Sequence, residues 1–126
     1  MEAFGFFREL GHGLPSGPSL EDARDPSMPS EERARLAGYL RSGHVVAATS
    51  ALVDDVLDPS RTEVSTMNVV TDGHWVWPAD LAYYVEQYGV TLPDALAARA
   101  HAGPPDVSDG EAAAALQFVM DGMPGA

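Results

Sequence analysis

The spacing of apolar positions changes repeatedly along this chain, and each period predicts an element. Ala3, Phe6, Phe7 and Leu10 recur at helical spacing with Gly11 as a stop, which predicts a short amphipathic helix docked on the body. Residues 11–29 are crowded with proline, glycine and serine and predict a flexible loop. Over 30–42, Leu36, Tyr39 and Leu40 form one stripe, with Glu31 and Glu32 in the first turn and Arg41 in the last. That arrangement suits a helix dipole, and Ser27 or Ser30 is the expected cap. Residues 45–49 (VVAAT) read as a strand. Residues 51–58 fit either a bent strand or a short helix, closed by Asp58-Pro59.

Residues 64–77 carry the strongest signal. VSTMNVV is β-prone, Asp72-Gly73 predicts a two-residue type I′ turn, and HWVW gives the return strand. Alternation puts Trp75 and Trp77 on one face, His74 and Val76 on the other. Pro78 is expected to open a helix in which Leu81, Tyr84, Val85 and Tyr88 share a side, ended by Gly89. Thr91 with Asp94, and Ser108 with Glu111, have the spacing of capping boxes for two further helices. The predicted fold is one α+β domain over 1–126. It comprises residues 1–29 as helix plus loop, and a body, 30–126, in which a small antiparallel sheet packs one face against four or five helices.

Composition narrows the chemistry. The chain has 126 residues, enough for one core, and no cysteine, so disulfides, thiolate metal sites and thiol nucleophiles are excluded. No apolar run approaches the roughly 20 residues that span a bilayer, and the N-terminus lacks the features of a secretory signal. A cytoplasmic location is the expectation. The net charge is −12, of which residues 43–126 carry −10 against only Arg61 and Arg99. Such a surface repels phosphate backbones and attracts basic proteins.

Candidate site residues follow from charge and from the aromatic stretch 71–89, which holds both tryptophans and three of the four tyrosines. Asp54, Asp55 and Asp58, with Glu63, predict an acidic rim over the aliphatics Val56 and Leu57. The aromatic stretch is expected mostly to build the core, with Trp75 or Trp77, and Tyr83 off the main helical stripe, left as aromatic anchors beside the rim. The spacing DDVLD matches the aspartate motif of isoprenoid diphosphate synthases. A chain without lysine, with a proline after Asp58, does not fit that diphosphate chemistry. His12, His44, His74 and His101 form no metal-binding spacing, so neither a metal nor a cofactor is expected. A Ser–His–Asp set can be written from Ser50 or Ser65, His74 and Asp80, but no nucleophile elbow accompanies it, and no catalytic residue is assigned.

Thr71, Asp72, Gly73, Trp75, Trp77, Pro78, Tyr83 and Tyr84, with FGFFREL and VVAATSALVDDVLDPS, resemble a group of small acidic actinobacterial proteins marked by TDG-x-W-x-W-P-x-x-x-x-YY. The resemblance spans most of residues 1–100 and brings no catalytic residue to carry over. Small acidic α+β proteins of this kind also look like toxin-neutralising immunity proteins, by analogy alone. The expected function is therefore non-enzymatic binding of a basic protein, as an immunity or inhibitor protein or a DNA mimic would do. The alternatives are a small-ligand or metal-assisted enzyme with a pocket near His74 and Asp54–Asp58, and self-association through residues 3–10 and 112–123.

Overall fold

The computed structural model describes residues 1–125. From the N-terminus the elements are β1 (Glu2–Ala3), α1 (Leu20–Ala23), α2 (Ser30–Arg41), β2 (His44–Ala47), β3 (Leu52–Val53), β4 (Ser65–Thr66), β5 (Val69–Thr71), β6 (Trp75–Pro78), α3 (Leu81–Tyr88), α4 (Asp94–Ala102) and α5 (Asp109–Met120). The main sheet has the order β1-β6-β5-β2, and β3 and β4 form a separate antiparallel pair. The chain is thus α+β. Its sheet is mixed rather than antiparallel, because β1 runs parallel to β6 with Glu2 opposite Trp75.

The predicted N-terminal helix is absent, and Gly5 explains why. Its φ is +94°, and a Cβ there would lie 3.0 Å from the Leu81 Cδ2 methyl. Positive φ interrupts a helix and suits glycine alone at such close approach. The segment instead extends the sheet, with the amides of Glu2 and Phe4 donating to the carbonyls of His74 and Val76. Phe6 and Phe7 then enter opposite sides of the structure.

The sheet is covered on both faces, not one. Val70, Trp75 and Trp77 face a core built with α2, α3 and α4, where Phe7, Leu20, Leu36, Leu40, Tyr84 and Leu96 are buried. Val76 and Val69 turn the other way, to Phe6 and the α5 residues Ala115, Phe118 and Val119. Double coverage explains why all of Trp75–Pro78 is buried. The Trp77 indole donates to the Leu40 carbonyl at 3.2 Å, so even its polar edge is satisfied inside.

The hairpin is present, with Val70 opposite Trp77 and Thr71 opposite Val76. Its central pair is Gly73-His74, since the Asp72 amide reaches the Trp75 carbonyl at 3.3 Å. Only Gly73 in the turn has positive φ, +96°, the sign pattern of type II′ rather than type I′. Asp72 acts as the staple of that turn. Its Oδ1 accepts from the amides of His74 and Trp75 at 2.9 and 2.8 Å. Its Oδ2 accepts from the Tyr39 hydroxyl at 2.6 Å and from Arg99 Nε at 2.8 Å. One buried carboxylate thereby ties α2, the hairpin and α4 together.

Two further expectations change. Pro78 closes β6, so α3 begins three residues later. Thr91 does not cap α4, and its amide instead donates to Ala23 O at 2.8 Å. The Ser108–Glu111 capping box of α5 is fully formed. Neither Ser27 nor Ser30 caps α2, which starts after Pro29.

Replacing Asp72 by alanine removes four charge-assisted hydrogen bonds and leaves Arg99 beside an apolar interior. The expected loss is about 3–5 kcal/mol of folding stability, read from urea unfolding. Glu111→Gln, at the α5 cap, is expected to cost less than about 1 kcal/mol.

Candidate functional site

Residues 49–67 form a lobe that stands beside the main sheet. Leu52 pairs with Thr66 and Val53 with Ser65. The loop between the strands is built by aspartates accepting local amides, which is what these short acceptors do in turns. Asp54 Oδ1 accepts from the Glu63 amide at 2.9 Å, and Glu63 has a φ of +52°. Asp58 Oδ1 accepts from the Ser60 amide and hydroxyl at 3.2 and 2.6 Å.

Asp55 has a different place from its neighbours. It is 1% exposed, and Oδ2 accepts from the hydroxyls of Tyr83 at 2.7 Å and Tyr88 at 2.5 Å. Oδ1 accepts from the amides of Leu57 and Asp58. Burial pushes this carboxyl up, but the bonds from Tyr88, Tyr83 and the two amides outweigh it and hold it below the ordinary aspartate value. Burial, and then the Asp55 carboxylate, push the Tyr83 hydroxyl up in return. Asp55 therefore fastens the lobe to α3.

The predicted surface residues divide accordingly. Asp54 and Glu63 are exposed and Asp58 is half-buried, all three on the lobe. Asp55 and Trp77 are sealed in the interior and offer no surface to a partner, and Trp75 is only 9% exposed. Tyr83 is half-buried, with its hydroxyl committed to Asp55 and Arg61 lying 5.8 Å over its ring. Val56, expected to be buried under the acids, is 40% exposed, while Leu57 packs on the core. His74 sits exposed at the turn with Nε2 3.6 Å from Glu111, sharing no contact with Asp54, Asp55 or Asp58.

The structure adds a pair that spacing alone conceals. Asp80 is completely buried, and its Oδ2 lies 3.0 Å from His12 Nε2. The two atoms are in contact, yet off the line of a hydrogen bond, and among the described residues no other donor reaches either Asp80 oxygen. Asp80 stands at the N-cap position of α3 without its carboxylate capping the helix. His12 also lines an open cleft of about 270 Å³, with Gly11, Val53, Asp54, Val56 and Met67. GHG at 11–13 and PAD at 78–80 are the only local marks of this pair, and they lie too far apart in sequence to be linked by spacing. A larger cavity of about 430 Å³, between the chain ends and Trp75, contains Glu2 as its one acidic side chain. Among the described residues no three His, Asp or Glu side chains converge as a metal would require.

Asp55 and Asp72 both have carboxyls lowered below the ordinary aspartate value, Asp72 because bonds from Tyr39, Arg99 and two amides overcome its burial. A lowered folded value means their stabilisation is complete above the unfolded aspartate value, about pH 4, and is lost as pH falls through the folded values. Urea midpoints are expected to fall steeply only below about pH 4. Tyr88→Phe should weaken the protein by about 1–2 kcal/mol at pH 7 and shrink that acid-dependent loss. Comparison with protein-family models, curated proteins and solved structures finds no match to this chain.

Proposed function

We propose that this chain is a binding module for a basic protein, engaged through the β3–β4 lobe, in the manner of an inhibitor or immunity protein. The observation that carries this reading is the lobe's composition. Val56 and Met67 are 40% and 38% exposed and line one cleft with Asp54, on a lobe that also carries the exposed Glu63 and the half-buried Asp58. Exposed apolar side chains clustered inside a charged rim are the usual make-up of a protein-binding patch.

Electrostatics selects the partner's sign. The chain carries −12, and most of its arginines are already engaged. Arg99 is on Asp72, Arg41 on Glu86, Arg24 on Glu21, and Arg33 on the carbonyls of Met28, Gln87 and Pro26. Arg61, the lobe's own cation, donates to Gln87. With all seven arginines counted the charge is still −12, so the long-range field favours a basic partner and speeds its capture. No described helix is long and apolar enough to cross a membrane.

The test is capture from native cytosol at low salt, followed by affinity measurement on the protein identified. The wild type is expected to bind one basic protein, about tenfold or more weaker at 300 mM than at 50 mM salt. Asp54→Asn/Asp58→Asn/Glu63→Gln should cut association by a similar factor. Salt-independent binding, or equal binding by the triple variant, would remove this reading.

A further inference from the structure

We propose that the cleft between Gly11-His12 and the β3–β4 lobe receives one alkyl cation, the side chain of an arginine or lysine carried by the basic partner. This rests on the binding role proposed above and names the contact that anchors it.

The cleft's size comes first. At about 270 Å³ it falls just below the roughly 300–1,000 Å³ of small-molecule sites, and it suits a single inserted side chain. Its walls come next. Val53, Val56 and Met67 supply an apolar sleeve for the methylene stem of such a side chain, which long cations bury readily.

The polar groups set the charge. Asp54 stands on the wall with Oδ1 fixed by the Glu63 amide and no hydrogen bond to Oδ2, so one carboxylate oxygen remains free for a donor. His12 lines the cleft with Nε2 turned inward to Asp80. Its other ring nitrogen makes no hydrogen bond, yet is not among the buried atoms lacking partners, so it is reachable from outside. Behind His12 lies a carboxylate that is fully buried and short of donors, placed at the N-terminal end of α3. The helix dipole helps hold that charge, but a carboxylate accepting no well-formed hydrogen bond is under-compensated for its burial. An anion entering the cleft would meet Asp54 at the wall, with the buried Asp80 behind His12 adding to the repulsion at a distance. A guanidinium or ammonium meets an unpaired carboxylate oxygen at the wall and a negative floor behind the imidazole. Charge-assisted bonds to a guanidinium are the strongest contact these groups can make.

The test follows the His12 ring by NMR while the intact protein is titrated with a five-residue alanine peptide carrying one central arginine. Butylguanidinium serves as the free cation, and the citrulline version of the peptide as the neutral control. The expected result is a saturable His12 shift at about millimolar affinity, at least about tenfold weaker for citrulline and about fivefold weaker in Asp54→Asn. Asparagine retains an Oδ1 to accept from the Glu63 amide, so this variant keeps the loop, and its amide spectrum verifies that. A citrulline peptide as good as the arginine peptide, or no His12 shift, overturns the proposal. Butylguanidinium carries the same stem and head, so its failure to shift His12 while the peptide binds also overturns the proposal. A basic partner that binds with the expected salt dependence while His12 stays unshifted also overturns it, and leaves the broader binding role standing. Arginine-peptide binding at His12 in a protein that captures no basic partner supports the cleft and removes only that role.

Discussion

Three aspartates are buried in a chain that has only seven cationic side chains, and most of the architecture follows from how each is compensated. A carboxylate withdrawn from water without partners costs several kcal/mol, so each must recruit donors from distant elements or remain exposed. Asp72 recruits the most: an arginine from α4, a tyrosine from α2 and two amides of its own turn. Asp55 has no cation and uses two tyrosines of α3 with two local amides. Asp80 has a single off-line contact with His12. The series runs from full satisfaction to deficit. The first two aspartates read as fasteners, and the third is the one whose surroundings leave chemistry unused.

The same ledger explains the aromatic stretch 71–89. Its indoles fill the space between sheet and helices, while its tyrosines have a second task, because each hydroxyl finds a polar partner in or beside the lobe. Tyr83 and Tyr88 donate to Asp55, and the Tyr84 oxygen accepts from the Val56 amide at 2.9 Å. Their rings pack against one another, with Tyr84 and Tyr88 stacked at 6.0 Å. α3 thus offers one row of hydroxyls to a loop that has almost no core of its own. Without that row the β3–β4 pair, two residues per strand, would be too small to stand alone.

How much of this was legible in the sequence depended on the range of the cause. The helix over Ser30–Arg41, the stop at Gly89 with φ +70°, the Ser108–Glu111 box and the hairpin all depend on residues a few positions apart, and those signals were readable. The first ten residues misled because Phe6 and Phe7 fit a helical stripe equally well when they serve two opposite faces of a sheet. The run WVWP hid double coverage: alternation placed Trp75 and Trp77 together correctly, but nothing local said that Val76 would also be covered, by α5. Asp54, Asp55 and Asp58 looked equivalent. Only the fold shows that one of them is turned inward, because the tyrosines that bind it are about thirty residues away.

Net charge tends to be read as a uniform property, yet here its placement separates structure from function. Asp72 is paired with Arg99 and adds little to the outward field, whereas Asp55 keeps its charge but is buried, and Asp54, Asp58 and Glu63 remain on a lobe that also exposes Leu52, Val56 and Met67. An acidic surface kept only for solubility has no need of exposed aliphatics beside it, since these add interfacial energy and aggregation hazard. Val56 and Met67 line the same cleft as Asp54 and His12, with a buried carboxylate behind that histidine, so apolar contact and negative charge meet there. A long cationic side chain is the common residue that satisfies both at once, with an apolar stem for the walls and a charged head for the floor.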